Sequence, residues 1–174
     1  MKTKNISIAF RRKREGKTNY RLRLRLLLSK KPRLVIRNSL KHSTVQLVHY
    51  GEDGDRVIVT AHSAMLQKHG WKHGTGNLPA AYLTGLLLGK KAKEANIKEA
   101  TPDLGLQQSV RGSRLYAIIM GAREAGLDVR CDEEMFPAEE RISGTHIKGG
   151  NAAQDVKMTK SAILGGSHDE KKKA

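Results

Sequence analysis

Between Leu78 and Asn96 the chain reads LPAAYLTGLLLGKKAKEAN, and within it Ala81, Gly85 and Gly89 recur at spacings of four. That spacing puts all three on one face of a helix. A ridge of such small side chains lets another backbone come close, so the fold must bring a second element against this face. The flanking residues agree with the helix. Asn77 is placed to cap it, and Pro79 sits in its first turn. Lys90, Lys91 and Lys93 gather near its C-terminus, where the helix dipole favours cations.

The other elements follow from periodicity. RLVIRN (33–38), STVQLVHY (43–50) and DRVIVTAH (55–62) read as strands, and Gly51-Glu52-Asp53-Gly54 supplies hairpin chemistry between the last two. IKEATPDLGL (97–106) predicts a short strand, with Pro102 confined to an edge or strand start. After Gly112, the stripe Leu115, Ile118, Ile119, Ala122 and Ala125 predicts a second helix that ends at Gly126. LDVR (127–130) predicts a last strand. The order strand, strand, strand, helix, strand, helix, strand gives an α/β fold: a mixed β-sheet covered by helices. The expected organisation is a basic arm over 1–31, a core domain over 32–131, a C-terminal extension over 132–150 and a mobile, flexible tail over 151–174.

Charge is divided as sharply as structure. The chain of 174 residues carries a net charge of +16, yet residues 1–41 hold 15 of the 33 Lys and Arg and only one acid, Glu15. A nearly neutral body thus bears a cationic arm, which points to a polyanionic partner. Residues 1–18 show no sustained period and read as a tail without structure of its own. From Asn19 onward Tyr20, Leu24, Leu27 and Leu28 share one helical face, with Thr18 or Asn19 as cap and Ser29-Lys30-Lys31-Pro32 as the stop. Arg is mixed with Lys here, and Arg grips phosphate with two donors and stacks on bases, which Lys cannot do. Tyr20 could stack on an unpaired base. The bland reading is a solvated tail. A membrane-surface helix would need a longer apolar face, so no membrane partner is expected.

Other motifs are weaker. Trp71-Lys72-His73-Gly74-Thr75-Gly76-Asn77 places a Gly-x-Gly before a helix, which can receive a phosphate on free N–H groups or be only a tight turn and cap. Arg111 and Arg114 flank Gly112-Ser113 at the next helix start, with Ser113 a natural N-cap. The single cysteine, Cys131, excludes an internal disulfide and fits a reducing compartment. Beside Asp132 and Glu133 its pKa is expected to rise, so it makes a poor nucleophile. His62, His69 and His73 lack the cysteine or carboxylate that a zinc set needs. Asp103 has no well-placed second and third acid for a metal nuclease. No catalytic residue, metal site or cofactor is expected.

Four stretches together carry a family resemblance: FRRKREGKTNYRLRLRLLLSKKPRLVIRNSLKH, AHSAMLQKHGWKHGTGNLPAAYLTGLLLGKKA, RGSRLYAIIMGAREAGL and EEMFPAEERISGTHI. Over roughly residues 5–147 the chain resembles the archaeal and eukaryotic form of universal large-subunit ribosomal protein family eighteen, whose members bind 5S rRNA. The resemblance implies a ribonuclease-H-like translational-machinery fold without nuclease activity. It implies a place in the large subunit of the cytoplasmic ribosome, where 5S rRNA is joined to the central protuberance. The implied partners are 5S rRNA, large-subunit (23S-type) rRNA and neighbouring ribosomal proteins. Carried over by motif, the RNA-facing positions are Arg11, Arg12, Lys13, Arg14, Lys17, Tyr20, Arg21 and Arg25 in the arm. Arg37, Lys41 and His42 follow near the first hairpin, Trp71 to Asn77 in the loop, and Arg111, Ser113 and Arg114 at the helix start. Pro102 departs from the apolar residue expected there, which bears on the edge of its strand. The alternative is an RNA-processing nuclease of ribonuclease-H-like fold, which would need a triad of acids on adjacent strand ends.

Overall fold

The structure, a computed structural model, describes residues 8–147 and 151–165. Strands β1 (Arg33–Asn38), β2 (Ser43–Gly51) and β3 (Gly54–His62) form an antiparallel meander, its hairpin closed at Gly54 with φ +120°. Strands β4 (Glu99–Asp103) and β5 (Asp128–Val129) add in parallel, giving the order β3-β2-β1-β4-β5. The mixed sheet expected from the element order is therefore present. Alternation sorts its residues. Leu34 and Ile36 face the same side as their partners Leu47 and Val45, and all four are 0% exposed. Arg33, Val35 and Arg37 face the other side with Val48, Gln46 and Thr44.

Helices α3 (Leu78–Glu94) and α4 (Arg114–Glu124) cover the apolar face. Asn77 caps α3, its Oδ1 accepting from Ala80 N at 2.9 Å. The small-residue ridge finds its partner in α4. A Cβ on Gly85 would lie 2.0 Å from the Ile118 carbonyl oxygen, and one on Gly89 2.5 Å from the Ala125 Cβ. Gly121 answers from α4, where a Cβ would lie 2.1 Å from the Tyr82 carbonyl oxygen. The two backbones are in contact along their length, and only glycine permits it.

Pro102 is tolerated because β5 is short. It pairs with β4 only at Glu99 and Ala100, so the side of β4 beyond Ala100 is open where Pro102 lacks its N–H.

Helix α2 (Tyr20–Leu28) starts at Asn19, whose Oδ1 accepts from Leu22 N at 3.1 Å. It lies over the polar face of the sheet. The docking face differs from the expected stripe. Leu22, Arg23 and Leu26 line the space above β1 and β2, while Leu24 and Leu28 are 60% and 72% exposed. The polar sheet face offers carboxylates as well as valines, so a mixed Leu–Arg–Leu edge matches it better than a purely apolar one.

Two segments expected to lack structure of their own carry helices. Within 1–18, residues Arg11–Arg14 form a short helix, α1, and residues 1–7 lie outside those described. Beyond the extension, whose helix α5 spans Glu139–Ser143, helix α6 runs over Ala152–Gly165. It buries Ala152, Val156, Thr159 and Ile163, a spacing of four, three and four that a Ser/Lys/Gly-rich composition obscures. Polar groups fasten it as well. Lys90 Nζ donates to the Ile163 carbonyl at 2.7 Å, and His73 Nε2 lies 2.8 Å from Asp155. Lys160 pairs with Glu124, which also accepts from the Tyr82 hydroxyl. Residues 166–174 of the tail expected over 151–174 lie outside the described residues.

Candidate nucleic-acid interface

The arm has more cations than it can pair. Its single acid, Glu15, meets Lys17 Nζ at 2.9 Å and Arg11 Nε at 3.7 Å, and Arg12 Nε donates to Thr18 Oγ1 at 2.9 Å. Lys13, Arg14, Arg21 and Arg25 are exposed and make no ion pair among the described residues. Exposed and unpaired, they are available to phosphate at little desolvation cost. Tyr20 is half-buried with its ring 5.2 Å from Phe10, so part of the stacking surface expected of it is already occupied.

A second group of expected residues converges on one corner, from three elements far apart in sequence. The β1–β2 turn, the loop before α3 and the start of α4 meet there. Thr75 Oγ1 donates to the Lys41 carbonyl at 2.8 Å and lies 3.0 Å from His42 Nδ1. At Gly76 a Cβ would stand 2.7 Å from the Leu40 carbonyl oxygen. Arg114 Nη1 then donates to the Gly76 carbonyl at 3.0 Å. Lys41, Lys72 and Arg111 remain exposed around this corner without an ion pair among the described residues.

Not every expected residue presents itself. Trp71 is only 2% exposed, and its Nε1 donates to the Gly74 carbonyl at 3.2 Å. It is a core residue that shapes the loop, and its ring has no free face for a base. Asn77 is occupied with its cap. Ser113 occupies the N-cap position of α4 without a side-chain cap bond, and its buried Oγ has no hydrogen-bond partner among the described residues. His73 is held by Asp155, and His62 Nδ1 accepts from Ala64 N at 3.2 Å. Burial pushes the His69 pKa down, and Lys90, Lys91 and Lys68 push the same way. Among the described residues no group of His, Cys, Asp and Glu could hold a metal ion. Burial, then Asp132, raises the Cys131 thiol pKa as expected.

Sequence reasoning missed the centre of the polar sheet face. Arg33 is 3% exposed there, with Nη1 2.9 Å from Asp103 and Nη2 2.8 Å from Asp55. Arg23 reaches down from α2 to Asp55 at 2.8 Å. Burial alone would raise the Asp55 carboxyl, but hydrogen bonds from Arg33 and Arg23 outweigh it and hold the pKa below the usual value. Arg37 crosses the same face, donating to the Ile36 and Asp103 carbonyls at 2.7 and 3.2 Å. The alternation Arg33-Val35-Arg37 is visible in the sequence, but the partners lie in distant segments.

The model of a family described as ribosomal large subunit proteins 60S L5 and 50S L18 matches residues 4–102. The large ribosomal subunit protein uL18 of Methanococcus maripaludis is similar to the chain, 52% identical over 150 residues. That alignment covers 86% of this chain and 77% of the relative.

Proposed function

This chain belongs to the family of ribosomal large-subunit proteins 60S L5 and 50S L18, and we propose that it binds 5S rRNA and attaches it to the central protuberance. Its role as a structural component of the large ribosomal subunit follows from the family. The finer reading adds contacts with large-subunit rRNA and with neighbouring proteins of the protuberance. The observation that carries it is the distribution of unpaired charge. Lys13, Arg14, Arg21 and Arg25 on the arm and Lys41, Lys72 and Arg111 at the corner are exposed without carboxylate partners among the described residues, while Arg33 inside has two. Cations left free on the surface and matched within are arranged for an external polyanion. The corner supplies shape, because its three segments lock one another through backbone carbonyls.

A structural rather than catalytic role is supported by what the acids do. Asp103 and Asp55 converge, as a nuclease would require, but on the guanidinium of Arg33. An arginine fixed between two carboxylates takes the place a divalent cation would need. No helix among the described residues is long and apolar enough to cross a membrane.

The test is a competition in about 0.15 M salt among 5S rRNA, an unrelated RNA of equal length, duplex DNA and anionic vesicles. Preference for 5S rRNA is expected. Replacing Lys13, Arg14, Arg21 and Arg25 together by Gln should flatten the log–log salt slope by about three units, at about 0.7–0.9 per lost phosphate contact. An unchanged slope would mean that the arm is a solvated tail.

A further inference from the structure

Between the arm, α2 and the polar face of the sheet lies a cavity of about 310 Å³. Its walls are strongly cationic. Arg12, Lys17, Arg23, Arg33 and Arg37 line it against only Asp55 and Asp103. Arg33 offsets part of the charge of both carboxylates, and Lys17 is paired with Glu15 at 2.9 Å, which still leaves the lining net positive. Arg33 is almost wholly buried, and its Nε has no hydrogen-bond partner among the described residues. The excess charge therefore lines a half-open cleft, with Arg33 buried at its base and Arg12, Lys17 and Arg37 toward the solvent side.

The floor is of another kind. Val35 and Val57 provide apolar area beside Gln46. The Gln46 amide makes one long bond, 3.4 Å to Thr60 Oγ1, and keeps donor and acceptor capacity to offer. At one wall the Arg37 guanidinium is fixed by two backbone carbonyls and backed by Gly105, where a Cβ would lie 2.9 Å from Nη1. Its side chain is nevertheless 51% exposed. A flat cation held in place and half open to the cavity is a platform on which a base can stack.

Cationic walls, an apolar floor with one amide, a stacking plane and this volume together describe one ligand class. A single nucleotide is an anion with a flat heteroaromatic ring, and pockets for small ligands begin at about 300 Å³. We propose that this cavity seats one unpaired nucleotide of the bound RNA. Its base rests on the Val35–Gln46–Val57 floor against Arg37, and its phosphate lies at the rim with Arg12 and Lys17. The inference rests on the RNA-binding reading above, and it adds a nucleotide-sized pocket to what is otherwise a phosphate-gripping surface. The arm thereby gains a second role, since Arg12 and Lys17 close the pocket over the sheet.

The test uses the full chain with Val57→Trp, which pushes an indole into the cavity where the base would lie, and Gln46→Glu, which puts a negative charge on its floor. Val57 is 52% exposed, so the larger ring can be accommodated without displacing the core; an unchanged thermal midpoint checks this. Both variants should weaken 5S rRNA binding about tenfold, within the range of one stacked base. The salt slope should change by no more than about one unit, the share of the single rim phosphate. In chemical probing of the RNA, one loop nucleotide protected by the wild-type chain should become reactive with either variant. Wild-type affinity in both variants would overturn the proposal while leaving the RNA-binding reading intact. If the chain does not prefer 5S rRNA, that reading falls, and the same variants judge the pocket against whichever RNA binds best. A parallel titration with adenosine monophosphate separates the sources of the nucleotide. Saturable amide shifts at Gln46 and Val57, with RNA affinity indifferent to both variants, would assign the pocket to free nucleotides and overturn the RNA assignment.

Discussion

On one face of the sheet Leu34, Ile36, Val45 and Leu47 are fully buried beneath α3 and α4; on the other, Arg33, Val35, Arg37 and Gln46 lie beneath α2. The strands are the same, and each residue step switches from one regime to the other. On the apolar side Gly85, Gly89 and Gly121 bring two helices into backbone contact, and nothing the size of a methyl group could be added. On the polar side a cavity of about 310 Å³ remains open between charged groups. One face has no slack and sets the stability of the fold. The other has slack and unbalanced charge, which is what a surface needs if it is to receive an irregular ligand.

The sharpest way to break the comparison is to overfill the closed face. Gly85→Leu would set a side chain against the Ile118 backbone, where even a Cβ would lie 2.0 Å from the carbonyl oxygen. Backbone cannot step aside as a side-chain tip can. The cost should reach or pass the upper end of the usual overpacking range, about 3 kcal/mol. The expected result is loss of cooperative thermal unfolding, or a midpoint lowered by more than about 8 °C. A Gly85→Leu chain that melts like the wild type would mean that α3 and α4 can separate at little cost, and the contrast between the two faces would fail.

A smaller effect is expected from the polar side. Arg33→Met removes the cation shared by Asp103 and Asp55 and leaves Asp103, only 7% exposed, without its main partner. Breaking a buried pair from one side costs roughly 3 kcal/mol or more. Arg37, 3.8 Å from Asp103 Oδ1, should compensate in part and keep the loss below that of Gly85→Leu. Adding Asp103→Leu should recover most of the stability, because the uncompensated charge goes with it. Urea midpoints of the single and double variants measure this. A double variant no better than the single would show that Arg33 contributes packing rather than charge pairing.

How much of this was legible differs between the two faces for a physical reason. Local periodicity writes the apolar face directly. The strands at 33–38, 43–50 and 55–62, the helix after Asn77 and its ridge at Ala81, Gly85 and Gly89 all depend on residues a few positions apart. The polar face depends on pairs such as Arg33 with Asp103, which no local pattern announces. The same limit explains Trp71. An aromatic residue in a glycine-rich loop reads as a surface group, and only the fold shows that the loop folds back over it. Helix α6 is the opposite case. Its stripe at Ala152, Val156, Thr159 and Ile163 is legible in the spacing, but the Lys/Ser/Gly composition around it points to a tail and masks the period.

Helix α6 also provides the smallest and most specific test, because it sits on the apolar layer yet is fastened by polar groups like those of the other face. Burial, followed by the hydrogen bond to Glu124, pushes the Tyr82 hydroxyl up to about 12. Lys160 is raised chiefly by its hydrogen bond to Glu124. Burial acts to raise the Glu124 pKa, but the hydrogen bonds from Lys160 and Tyr82 outweigh it and lower it. The three shifts have different consequences with pH. A lowered carboxyl stabilises the fold above its unfolded value, near 4.3, and loses that contribution as pH falls through its folded value. A raised lysine and a raised tyrosine stabilise the fold below about 10 and lose that contribution as pH rises through their folded values. The urea midpoint should therefore stay level across neutral pH and decline between about 10 and 12, beyond any fall common to the rest of the chain. Lys160 and Glu124 are both more than a third exposed, so Lys160→Met should cost no more than about 1 kcal/mol at pH 7. It should remove the lysine part of the alkaline decline, and Tyr82→Phe the tyrosine part. Limited proteolysis at pH 8 should cut within α6 faster in Lys160→Met than in the wild type, while the arm is cut at the same rate in both. If neither the alkaline decline nor the cleavage rate changes, the buried stripe alone holds α6, and polar fastening belongs only to the sheet's outer face.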